Sequence, residues 1–106
     1  MKNNNKLEEM QILEQNLQNL LYQKQAFQME LSETQASIKE IEESKEDVFK
    51  IVGQLMIKSD KKKVLDDLSS KEKLLELRIK SIEKQENSFL EKMESVKGEI
   101  LEGNKK

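Results

Sequence analysis

From Met10 onward the apolar residues recur at alternating steps of three and four. With Met10 as position a of a heptad, the a sites are Met10, Leu17, Lys24, Leu31 and Ile38, and the d sites are Leu13, Leu20, Phe27, Thr34 and Ile41. Eight of these ten are apolar, and the spacing never slips. A second heptad begins at Leu65. Its a sites are Leu65, Glu72, Ile79, Glu86, Met93 and Ile100, and its d sites are Leu68, Leu75, Ile82, Phe89, Val96 and Gly103. An unbroken seven-residue repeat winds helices into a left-handed coiled coil.

Between the two repeats the pattern changes. Residues 48–58 read VFKIVGQLMIK, dense in β-branched and other large apolar residues. Such residues favour a strand. Gly53 followed by Gln54 suits a two-residue type II′ turn, which needs a positive φ at its first position. That turn sets Val52 against Leu55, Ile51 against Met56 and Lys50 against Ile57. Ser59-Asp60 follows, with Asp60 as the expected N-cap of the next helix.

The two heptads mirror each other about this turn. Pairing Ile41 with Leu65, Ile38 with Leu68 and Leu31 with Leu75 keeps a constant sum of partner numbers. Phe27–Ile79, Leu17–Phe89, Leu13–Met93 and Met10–Val96 obey the same sum, and the hairpin pairs miss it by one. One fold-back axis therefore serves both elements. The predicted fold is mainly α: a long antiparallel two-helix coiled-coil hairpin with a central β-hairpin that pairs with other subunits into a β-barrel. Residues 1–106 form a single domain in this reading, with a first helix over 6–45, a β-hairpin over 48–58 and a second helix over 60–102. Each arm of about 40 residues would be roughly 60 Å long. The polar start, residues 1–6, is expected to fray. Lys24 is placed near Glu86 and Thr34 opposite Glu72, polar breaks that fix register.

Composition narrows the options. Hydrophobic residues make up 35% of the chain and charged residues 38%, a mix that also marks disordered chains. However, 19 Lys plus Arg nearly balance 21 Asp plus Glu, and the apolar spacing is regular, so helix is favoured. There is no Pro to break a helix. There is no Cys and no His, which removes disulfides, thiolate chemistry and the commonest general base and metal ligand. Carboxylates abound, but two thin helices offer no concave pocket to tune them, so no enzyme, metal or cofactor is expected. No apolar run approaches the ~18 residues of a membrane span, and no signal-peptide pattern is present. Lys61-Lys62-Lys63 is the one compact basic run, and it has no interleaved aromatics. Neither nucleic acid nor membrane is an expected partner, and the location expected is cytoplasmic.

The hairpin is what implies partners. Phe49, Ile51 and Met56 lie on one face, and Val48, Val52, Leu55 and Ile57 on the other. Seven such side chains left wet forgo roughly 10–20 kcal/mol of gross burial. An isolated hairpin is marginal in water, and its edges offer unpaired backbone groups. Pairing with equivalent hairpins in a closed sheet resolves both problems. Val48, Phe49, Ile51, Val52, Gly53, Leu55, Met56 and Ile57 are the candidate oligomerisation residues.

The segment Phe49-Lys50-Ile51-Val52-Gly53 followed by Leu55-Met56-Ile57-Lys58, between symmetric arms, resembles the beta-class subunit of prefoldin. The Gln23-Lys24-Gln25 stretch and Glu30-Leu31 are similar to that family too. The likeness covers essentially the whole chain. Room for a single hairpin matches the beta class, since alpha-class chains carry two. The resemblance implies an ATP-independent chaperone. Its partners would be an alpha-class prefoldin subunit and further copies of itself in an alpha2beta4 hexamer, unfolded polypeptide clients, and a group II chaperonin that receives them.

Client capture is expected at the arm tips, where coiled coils are least buttressed. Leu7, Met10, Leu13 and Leu17 line the first helix there, and Met93, Val96, Ile100 and Leu101 the second. Gly98 and Gly103 weaken that stretch of helix, and methionine adapts to varied partners. Ile12, Leu21, Tyr22 and Leu90 would enlarge the patch. The same seam residues also read simply as core. The polar tail from Glu102 to Lys106 is a candidate chaperonin contact. The competing function is a structural coiled-coil adaptor with one defined protein partner.

Overall fold

Leu, Met, Glu, Lys and Gln are good helix formers, and no proline interrupts either repeat. In the computed structural model, which describes residues 2–104 in backbone and 5–103 in side chains, they form α1 (Lys2–Glu43) and α2 (Lys61–Asn104). Between them lie β1 (Val48–Val52) and β2 (Leu55–Ser59). Helix is continuous from Lys2, and Lys6 makes ion pairs with Glu9 and Glu99. Met1, Lys105 and Lys106 lie outside the described residues, and so does that part of the polar tail.

The chain falls into two compact units. The first joins α1 up to Ala26 with α2 from Ile79 onward. Its core is Leu13, Leu20, Ile79, Ile82 and Val96, all buried a or d positions. Met10, Leu17, Phe89, Met93 and Ile100 are half-buried beside them. Lys92 lies 5.5 Å from the centre of the Phe89 ring, a cation–π distance.

The second unit runs from Phe27 to Arg78. Leu75 is its most buried side chain, at 2% exposure, and Leu31, Ile38, Ile41, Leu65 and Leu68 are half-buried. Arg78 lies over the half-buried Phe27 ring at 5.6 Å. Lys71 and Glu30 form a pair between α1 and α2 at 3.1 Å. Thr34 is a buried polar d residue. Its hydroxyl donates to the Glu30 carbonyl one turn earlier at 2.8 Å, so burial leaves no unmet hydrogen bond. Among the described residues, Gly103 is the one heptad a or d position that stands exposed.

Both helix ends at the turn are satisfied locally. Past Glu43, Ser44 N–H donates to the Ile41 carbonyl at 3.2 Å. Lys61 Nζ then donates to the Ser44 carbonyl at 2.8 Å, which places a cation at the negative end of α1. Asp60 caps α2: its Oδ1 accepts from Lys62 N–H at 3.3 Å, and its carbonyl accepts from Val64 N–H at 3.0 Å. Thus Lys61 of the basic run serves as a helix cap.

The strands pair antiparallel, with Val52 against Leu55, Ile51 against Met56, Lys50 against Ile57, Phe49 against Lys58 and Val48 against Ser59. Gly53 has φ +62, and no non-glycine residue described has a positive φ. A positive φ at the first turn position alone is the type II′ pattern. The expected register and turn are both present.

Candidate functional site

The hairpin is the first candidate surface. Alternation along β1 and β2 puts Phe49, Ile51 and Met56 on one face with Lys58. The other face carries Val48, Val52, Leu55 and Ile57 with Lys50. Ile51 is 72% exposed, Met56 69% and Leu55 66%, so neither face is covered by the chain's own helices. Phe49, Val52 and Ile57 are exposed as well, while Val48 is half-buried. The sheet has only these two strands, so each has an open edge. Lys58 pairs with Asp47 at 3.5 Å, well exposed, which adds little stability.

The second candidate surface lies in the unit that holds the beginning of α1 and the end of α2. The structure sorts its expected residues by accessibility. Leu7 and Leu101 are exposed. Met10, Leu17, Met93 and Ile100 are half-buried. Leu13 and Val96 are core, at 7% and 4% exposure. An ion pair between Lys6 Nζ and Glu99 Oε2 at 2.6 Å ties the two helices there. The hydrogen bond to Glu99, with the charge of Glu9 beside it, holds the Lys6 ammonium above the ordinary lysine value. Ile12 and Tyr22 are exposed. In the same unit Lys24 Nζ donates to Glu86 Oε1 at 2.8 Å, and the two stand near each other as the sequence reading places them. That bond raises the Lys24 pKa above the ordinary lysine value. Desolvation opposes the rise, and the charges of Glu86 and Glu83 reinforce it.

One set of exposed apolar residues escapes the heptad reading. Met29, Leu74 and Leu77 are exposed in the second unit at outward positions of the repeat. Their signal was present as apolar residues off the a and d sites.

No helix among the described residues is long and apolar enough to cross a membrane. Nor, among those residues, do His, Cys, Asp and Glu gather into a group able to hold a metal ion.

Two long helices with heptad cores, joined by a β-hairpin that leaves both faces bare, define a coiled-coil hairpin protein. Comparison with known proteins gives the same answer. The prefoldin subunit family matches residues 4–105, and the chain belongs to that family. It is 38% identical over 89 residues to the prefoldin subunit beta of Thermococcus onnurineus, covering 82% of this chain and 77% of the relative. It is 35% identical over 98 residues to that of Methanothrix thermoacetophila, covering 91% and 82%. The crystal structure of the prefoldin beta subunit from Thermococcus strain KS-1 superposes with a TM-score of 0.90 at 33% identity, covering 96% of this chain and 91% of that one. The kinship is thus with the beta class, in a family of chaperones rather than enzymes.

Proposed function

We propose that the chain acts as an ATP-independent chaperone subunit in the cytoplasm. It joins alpha-class prefoldin subunits and further copies of itself, as two alpha and four beta chains, through the exposed residues of its hairpin. It captures unfolded polypeptides at the arm tip and passes them to a group II chaperonin. The observation that carries this reading is the bare hairpin, apolar on both faces, in a chain of the prefoldin family. Leu7 and Leu101 are available to a client at once. Leu13 and Val96 are buried in the closed tip, so they engage a client only as the helices part there. The Lys6–Glu99 pair is a weak clasp against that opening, since both side chains are well exposed to water that screens their attraction.

Two measurements test the reading. Solution mass, alone and mixed with an alpha-class prefoldin subunit, should show a large assembly with the partner; a monomer in both conditions overturns it. Replacing Met10, Leu13, Met93 and Val96 by serine should abolish suppression of aggregation of a denatured client. Because that variant disturbs the core, the exposed pair Leu7→Ser with Leu101→Ser serves as the conservative version. Full activity in both variants removes tip capture.

A further inference from the structure

An open groove of about 650 Å³ lies in the first unit, within the range of about 300–1,000 Å³ typical of ligand sites. Its apolar part is Leu17, Leu21 and Leu90. Leu17 and Leu21 are half-buried, and Leu90 is 46% exposed. The groove has a sequence cause. Both helices place a long charged side chain at an a site here, Lys24 and Glu86. The seam is therefore filled by an ion pair where branched side chains would otherwise interdigitate.

The charge around the groove is one-sided. Three carboxylates, Glu14, Glu83 and Glu86, line it with one ammonium, Lys24. Lys24 is already engaged by Glu86. Glu14 and Glu83 are exposed, and neither forms an ion pair among the described residues. Gln18 and Asn87 add exposed amides able to hydrogen-bond an extended backbone. The rim therefore repels acidic chains and attracts basic ones.

We propose that this groove receives apolar segments of unfolded polypeptides that are flanked by lysine or arginine. The inference rests on capture of unfolded chains by this subunit. Leu17, Leu21 and Leu90 take the apolar side chains, and Glu14 and Glu83 meet the flanking cations. Because those carboxylates are exposed, the preference is severalfold and falls with salt.

The test uses the assembled full-length protein and three labelled peptides that share one short Leu/Val core. Their flanks are lysines, serines or glutamates, and binding is read by fluorescence anisotropy. The lysine-flanked peptide should bind about fivefold more tightly than the glutamate-flanked one at low salt. High salt should erase the difference. Glu14→Gln with Glu83→Gln should erase it too, with binding of the serine-flanked peptide unchanged, and Leu90→Ser should weaken all three. A lysine preference that survives the double glutamine variant, or is absent from the unmodified protein, overturns the proposal. So does a change in the protein's own assembled mass on Leu90→Ser without peptide, which would assign the groove to a second copy. If clients are still protected from aggregation but no charge preference exists, this inference alone fails. If no peptide binds and no client is protected, tip capture fails with it.

Discussion

Lys24 Nζ lies 2.8 Å from Glu86 Oε1 across 62 residues of sequence, and both side chains occupy a positions of their heptads. Their side chains are only 20% and 14% exposed. Removing one partner strands a half-buried charge, whereas removing both does not. Lys24→Leu or Glu86→Leu alone should lower the melting temperature. The double replacement should recover most of that loss or exceed the original stability. Thermal melting of the four proteins checks this, and additive single losses would show that the pair is not coupled.

Alkaline pH probes the same pair. The Lys24 pKa is raised in the folded chain, chiefly by the hydrogen bond it donates to Glu86. A raised pKa contributes stability that is fully present below the unfolded value, near 10.5, and is lost as pH rises through the folded one. Lys6, raised chiefly by its hydrogen bond to Glu99, adds to the effect in the same direction. The melting temperature should fall more steeply above pH 10.5 in the original chain than in the Lys24→Gln, Lys6→Gln variant. Parallel curves would contradict the assignment.

Gly98 stands in α2 where an added Cβ would meet nothing within 4 Å. Gly98→Ala should therefore stabilise the helix by about 0.5–1 kcal/mol. If opening of the tip exposes Leu13 and Val96 to clients, the same change should slow client capture while the melting temperature rises. Hydrogen exchange at residues 90–102 together with a capture assay separates the two effects.

Gly53 poses the opposite case. Space around it is open, but its φ of +62 is one that side chains resist. Gly53→Ala should destabilise the turn by about 1–2 kcal/mol and Gly53→Asn by less. Assembly with an alpha-class subunit, followed by mass, should weaken in the order Ala then Asn. Equal assembly by all three would show that the turn's geometry does not limit pairing.

Much of this architecture is legible in the order of residues. The heptads name the core because a two-helix seam buries one stripe, and Leu13, Leu20, Leu75, Ile79, Ile82 and Val96 all fall on it. Antiparallel fold-back about Gly53 brings Lys24 and Glu86 to neighbouring layers of the seam, one turn off the exact mirror pairing, and their long side chains reach each other across it. Thr34 is different. Its hydroxyl turns to the Glu30 carbonyl of its own helix, a local bond that seam pairing does not announce. Lys61 reads as part of a basic patch and acts as a helix cap, because its role depends on the neighbouring Ser44 carbonyl. The groove beside Leu21 and Leu90 is likewise a property of what two charged a residues fail to fill. The tip residues divide into accessible and buried sets only once the packing is known.

The bare hairpin has a consequence for the cell that makes this chain. A copy that has not met its partners displays two open strand edges and apolar side chains such as Ile51 and Met56. That surface is the same kind that marks a misfolded protein for recognition. A surplus of this subunit over its partners should be self-limiting, because each orphan copy advertises itself for aggregation or removal. If the hairpin is the assembly element, two five-residue strands tie the tolerable amount of free subunit to the supply of its partners.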